Sequence, residues 1–236
     1  MTARPATGPL AAGIAALRRF LRPFVLIQLA AVGLVLAYYQ SATVRAFCGT
    51  LAAIKIAGGL PFAAWTASLA GGILPEVAKL AGDPRRFTVR GRRGEILFNL
   101  AFFAFNGMVI DLLYRGEARL FGFDAAAATV AKKVLFDQFV FTPLWLPLII
   151  ALFSWRRVGF SPAATVALLR IPGFYRTRVV PLLLPAWCFW IPMVSIIYAL
   201  PLPLQFLLFV LALGAWSLIM VFIASAGAAS DTFEGP

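Results

Sequence analysis

KKVLFDQFVFTP, Lys132 to Pro143, heads a segment that then runs apolar through Trp155. Two lysines, an aspartate and a glutamine stand at the start of a hydrophobic stretch, and the surrounding solvent decides how they are read. In water they would be ordinary solvated groups. At the centre of a bilayer an ionised carboxylate costs roughly 2.5–3.5 kcal/mol even on a lenient insertion scale, so each such residue needs a reason.

The rest of the chain settles which solvent applies. Of 236 residues, 62% are hydrophobic and only 13% are charged, and the mean hydropathy is +0.91. A soluble globular chain is about half apolar and a quarter charged. Several apolar runs reach the roughly 20 residues that a helix needs to cross a bilayer. The expected fold is therefore all-α, a polytopic transmembrane helical bundle of about six spans. The net charge is +12, but the basic residues sit mainly between apolar runs. That placement suits orientation and anionic headgroups, and no nucleic-acid-binding module is visible. There is no histidine and there are two cysteines, Cys48 and Cys188. A zinc site or a histidine-held haem is thus excluded, and neither metal nor cofactor is expected.

Four regions follow. Residues 1–23 are a basic segment, read as the flank of the first span rather than an import presequence, because the run behind it is long for a signal core and lacks a clear cleavage site. Residues 24–60 hold a first span, about Phe24 to Val44, and a short helix over 47–57. Residues 47–80 would make a helix of roughly 50 Å, too long for one crossing. GGLP, Gly58 to Pro61, supplies the break, which leaves 47–57 interfacial or re-entrant. Residues 61–225 hold five more spans, about Pro61–Leu80, Glu95–Tyr114, Val134–Phe153, Val180–Leu200 and Leu204–Ser225. Arg115 to Asp124 reads as a loop, and Pro162 onward as a short surface helix capped by Ser161. Residues 226–236 read as a disordered tail.

Orientation follows from arginine and lysine. With the N-terminus inside, Arg4, Arg18, Arg19 and Arg22, the five arginines of 82–94, and Arg156, Arg157, Arg170, Arg176 and Arg178 all fall inside. The outer side receives Arg45, Arg115, Arg119, Lys132 and Lys133, with Lys55 if the broken segment lies there. Six crossings put both termini on the cytoplasmic face.

The polar residues within the spans are the candidates for function. Asp137 and Gln138, Asp111, and Gln205 come to similar depth near the outer interface. Lys133 with Asp137, and Asp111 with Arg115, are spaced for i, i+4 pairing while the cation snorkels to headgroups. Asn99 and Asn106 share one helix face, whereas Asp111 lies about 140° around from Asn106. Glu76 and Lys79 have i, i+3 spacing. Two readings stay open: these groups pack and anchor helices, or they converge on a polar vestibule that admits a solute. Trp187 reads as packing.

Lys132, Lys133, Asp137, Gln138, Phe141 and Pro143 together resemble the Lys-Lys-x-x-x-Asp-Gln-x-x-x-x-Pro core of the family that takes in the mitochondrial inner-membrane protein Mpv-seventeen and the twenty-two-kilodalton peroxisomal membrane protein. Gly107 and Tyr114 match that family's upstream Gly-Pro…Trp-Tyr stretch, and Pro201 and Trp216 match its late spacing. Departures are present: Met108 and Leu113 replace a proline and a tryptophan, Gln205 replaces an arginine, and the Trp-Pro dipeptide of the penultimate span is absent. The resemblance covers about residues 61–225 and implies a helical membrane protein, usually drawn with four spans, associated with channel-like pores or organelle membrane homeostasis.

The expected function is a small channel or solute-permeability protein with a polar entrance around Asp137, Gln138 and Asp111. The alternative is a non-catalytic membrane scaffold or assembly factor. No catalytic residues are assigned, since no histidine, nucleophile motif or phosphate-binding glycine loop is present. The expected partners are membrane lipids, with anionic headgroups at the inner basic loops, and self-association into a homo-oligomer is left open. The expected location is a bacterial inner membrane, with the mitochondrial inner membrane as the alternative.

Overall fold

A computed structural model describes residues 9–82 and 89–231. Every regular element in them is helical: α1 (Pro9–Gln40), α2 (Ala42–Ala67), α3 (Leu74–Gly82), α4 (Val89–Phe121), α5 (Ala127–Phe136), α6 (Thr142–Arg157), α7 (Pro162–Leu169), α8 (Val180–Tyr198) and α9 (Leu202–Asp231). Three π-helical segments, Ser68–Ile73, Asp137–Phe141 and Tyr175–Val179, join α2 to α3, α5 to α6 and the connector to α8. Six stretches are long and apolar enough to cross a membrane: Leu21–Gln40, Ala42–Gly82, Arg92–Phe121, Ala127–Arg157, Tyr175–Tyr198 and Leu202–Val221. Large apolar side chains such as Leu97, Leu112, Leu144 and Leu211 are exposed while Lys55, Asp111 and Asp137 are buried. This inside-out distribution belongs to a multi-pass membrane architecture.

Each π segment has the same cause. The residue after it sends its N–H five positions back, Leu74 to the Leu69 carbonyl, Thr142 to Asp137 and Val180 to Tyr175. The next residue is a proline in all three cases, Pro75, Pro143 and Pro181. Proline has no N–H, and its ring clashes with the carbonyl four residues back in an α-helix. Widening the preceding turn moves that carbonyl away and keeps the helix running.

The chain divides into two compact units, Met1–Gln28 with Val130–Ser195, and Leu29–Thr129 with Ile196–Pro236. In the first, proline-freed carbonyls are met by side chains from other helices. Thr142 is committed to Asp137 and Pro143 has no N–H, so the Gln138 carbonyl needs an outside donor. The Trp187 indole N–H supplies it at 2.9 Å, and the Trp187 ring lies 5.3 Å from Phe139. Trp187 is thus more than packing. Pro147 frees the Pro143 carbonyl, which the Tyr175 hydroxyl reaches at 3.5 Å. Pro192 frees the Cys188 carbonyl, which Gln28 Nε2 reaches at 3.4 Å. Trp187→Phe is expected to lower stability by about 1–2 kcal/mol, the loss from a buried carbonyl left unmet. Adding Pro143→Ala returns a helical N–H, so denaturation of the double variant should show less than the summed loss.

In the second unit α2 and α3 form one interrupted rod lying antiparallel to α4. Gly59 takes φ 52° and ψ −136°, a backbone region where glycine is favoured because it lacks Cβ. The GGLP break is therefore present at its expected place. The helix before it is longer than the expected 47–57, starting at Ala42 directly after α1, with the Ser41 hydroxyl capping it by accepting from the Val44 N–H. Close approach fixes the α2–α4 contact: a Cβ on Gly107 would stand 2.5 Å from the Ala63 carbonyl oxygen. The Ser68 hydroxyl donates to the Leu100 carbonyl at 2.7 Å. α9 runs parallel to α2, with Gly214 beside Ala70 and Leu74.

One further correction concerns a loop limit. α4 continues to Phe121, through residues read as a loop. α7 begins at Pro162 with Ser161 as its cap, as its sequence indicates. Of the inner arginine clusters, Arg4 and the side chains of Arg18, Arg19, Arg85, Arg86 and Arg90 lie outside the described residues.

Candidate functional site: a buried ion cluster

The most demanding chemistry in the second unit lies between α2 and α4. Lys55 and Asp111 are 5% and 1% exposed, and Lys55 Nζ pairs with Asp111 Oδ1. Arg115, one turn further along α4, meets Asp111 Oδ2 at 2.6 Å. This is the i, i+4 pair expected from sequence. The Lys55 ammonium also lies 5.6 Å from the Phe206 ring centroid, within reach of a cation–π attraction. Phe206 continues into an aromatic chain: Phe209 at 5.7 Å, Tyr114 at 6.1 Å from Phe209, and Tyr198 at 5.4 Å from Tyr114. The Tyr198 hydroxyl donates to Glu117 Oε2 at 2.5 Å, with both groups buried.

Three of these residues escaped the sequence reading. Lys55 counted as a charge on the outer side, Glu117 lay in an assumed loop, and Tyr198 carried no signal. A signal for Glu117 did exist. Gly107, Ile110, Asp111, Tyr114, Glu117 and Ala118 recur every three or four residues, one helix face, and all are buried. For Lys55 the signal was a lone cation inside an apolar run, which in a membrane calls for a carboxylate partner.

The other candidates fall as follows. Asn106 is buried and Asn99 half-buried on α4. Asn106 and Asp111 are both buried, although far apart around the helix, because α4 packs against α2 and α9 at once. Gln205 is buried at the start of α9. Its Nε2 donates to the Leu200 carbonyl at 2.8 Å, while its Oε1 meets no donor among the described residues. Pro201 sits in the turn before α9, its carbonyl accepting from the Leu204 N–H at 2.8 Å. Trp216 is half-buried on α9.

Asp137 and Gln138 belong to the first unit, both buried on the π segment. Lys132 is exposed there, whereas Lys133 is 1% exposed. Lys133 therefore does not snorkel to headgroups as expected; its stem and ammonium are enclosed in the fold.

No protein-family model, curated protein or solved structure matches this chain. The geometry therefore has to carry the functional reading.

At the other end of the α2–α4 contact a second ion cluster forms. Glu76 is buried and pairs with Lys79 at 2.6 Å, as its spacing indicates, and with Arg92 of α4 at 3.1 Å. Arg92 also meets Glu95 at 3.2 Å. Among the described residues no group of three or more acidic, cysteine or histidine side chains is placed to hold a metal ion.

Proposed function

We propose that the protein is a small-solute permeability protein, non-enzymatic, whose outer end is closed by the Lys55–Asp111–Arg115 cluster. The observation that carries this reading is the burial of the Lys55–Asp111 pair inside a membrane-type bundle, four residues from the backbone break at Gly59. Ionisable groups within membrane spans are costly, and where they occur they commonly mark solute or ion pathways. Interrupted helices recur where membrane proteins admit solutes. Asp137 and Gln138, on a π segment, belong to the same reading, since π turns recur at functional sites.

Along the rod, Lys55 and Glu76 are separated by about 30 Å at 1.5 Å per residue, which is the thickness of a hydrocarbon core. The two ion clusters then lie at the two interfaces, with Glu76 and the arginine-rich segment inside. Both termini are cytoplasmic, anionic headgroups meet the inner basic segments, and the membrane is a bacterial inner membrane. A distant relationship to the Mpv-seventeen and twenty-two-kilodalton peroxisomal membrane protein family is supported by Lys132–Pro143, Gly107 and Tyr114.

Proteoliposomes holding the purified protein should release small solutes faster than protein-free vesicles, measured by efflux of trapped labelled solute. A wild-type rate equal to that of protein-free vesicles would remove the permeability reading, and equal rates for the wild-type chain and for Asp111→Asn would remove Asp111 from it. A scaffold role is the second reading, favoured by the contact of Gly107 with the Ala63 backbone, which leaves no passage between α2 and α4 at that level.

A further inference from the structure

Asp111 presents each of its carboxylate oxygens to a different cation: Oδ1 to Lys55 of α2, and Oδ2 to Arg115 of α4. Two cations thus flank one carboxylate, Lys55 through a hydrogen bond to Oδ1 and Arg115 by charge proximity to Oδ2 without a hydrogen bond, and together they frame a cradle, a space of that group's size. We infer that this cradle binds the carboxylate of a small monocarboxylate solute, and that Asp111 occupies it as an internal stand-in while the protein is closed. The inference rests on the permeability reading and names its solute class.

Three observations support the choice. A cationic solute would have to displace two tethered cations from a single carboxylate, whereas a carboxylate exchanges like for like. The ring beside Lys55 is Phe206, which packs on Phe209 and through it on Tyr114, an aromatic surface that suits a short hydrocarbon tail. An approach for an anion also exists. Arg119, Arg115 and Asp111 are spaced four apart along one stripe of α4. They pass from exposed Arg119, through the 38% exposed Arg115 side chain, to buried Asp111. A basic stripe narrowing inward draws anions by its field. Glu117, the other buried acid nearby in sequence, is held by the Tyr198 hydroxyl.

Chemical rescue tests this. Asp111→Ala empties the cradle and leaves Lys55 and Arg115 facing each other, so its melting midpoint in detergent should fall by several degrees. Sodium acetate at ~100 mM should restore more than half of that loss through binding to the folded state. Sodium chloride at equal ionic strength should not, and the wild-type midpoint should stay fixed with either salt. Absence of acetate rescue overturns the inference and leaves the permeability reading standing. Rescue without solute flux in proteoliposomes keeps the carboxylate cradle and overturns the permeability reading. If Asp111→Ala does not fold, the wild-type chain decides: a reversal potential in a potassium acetate gradient on the acetate side supports the inference, one on the potassium side overturns it, and no conductance overturns both.

Discussion

Lys55→Met is expected to lower the stability of the protein in detergent by about 3 kcal/mol, at the low end of the 3–5 kcal/mol that follows removal of one partner from a buried pair. The low end applies because Asp111 keeps Arg115, at 2.6 Å. What remains is a carboxylate, 1% exposed, without its buried counter-charge. Lys55→Met with Asp111→Leu should recover most of the loss. Two apolar side chains of similar volume need no desolvation, and replacing a buried ion pair in this way is often neutral or stabilising. Arg115, part-exposed, can then turn its guanidinium to solvent. Denaturant midpoints of the two single variants and the double variant check the pattern. A double variant as weak as either single would mean that Lys55 holds the fold by packing alone.

Gly107→Ala should destabilise by about 1–3 kcal/mol, the range for overpacking a close contact, and Gly107→Leu by more. The neighbours here are the Ala67 Cβ and the Ala63 backbone, the added Cβ standing 2.5 Å from the Ala63 carbonyl oxygen and 3.2 Å from its carbon. Neither can rotate away, so α2 must move off α4 and carry the Lys55–Asp111 contact with it. Gly116→Ala on the same helix is the control. A Cβ there meets nothing within 4 Å, and removing a helix-interior glycine should add about 0.5–1 kcal/mol. Thermal or denaturant unfolding of the two variants should therefore move in opposite directions.

Much of the fold was legible because it depends on local chemistry. Gly58–Pro61 announced the α2 break, and Ser161 with Pro162 announced α7, because caps and breaks are written within four residues. The six apolar stretches follow from length and hydropathy. The π turns were not legible. A proline in a span can kink the helix, end it or widen the preceding turn, and which occurs depends on what meets the freed carbonyl. For Gln138 that partner is Trp187, 49 positions away.

The candidate site was half legible. The pairing of Asp111 with Arg115 is intrahelical and followed from i, i+4 spacing. The pairing of Asp111 with Lys55 spans 56 positions, and no periodicity in one sequence links them. Glu117 was missed because Arg-Gly-Glu reads as a turn, whereas the packed face Tyr114–Ala118 carries α4 through it. Lys133 was assigned to headgroups on its length and charge, but tertiary packing encloses it.

The central claim is that the Lys55–Asp111 pair closes the protein, and solute efflux from proteoliposomes across a charge series tests it most directly. Asp111→Asn and Lys55→Met should each raise efflux well above wild type, because an uncompensated charge draws water into the closure. Lys55→Met/Asp111→Leu should fall toward the rate of protein-free vesicles, because an apolar plug excludes water and the cradle has lost Lys55. Identical efflux across all four proteins would contradict the account.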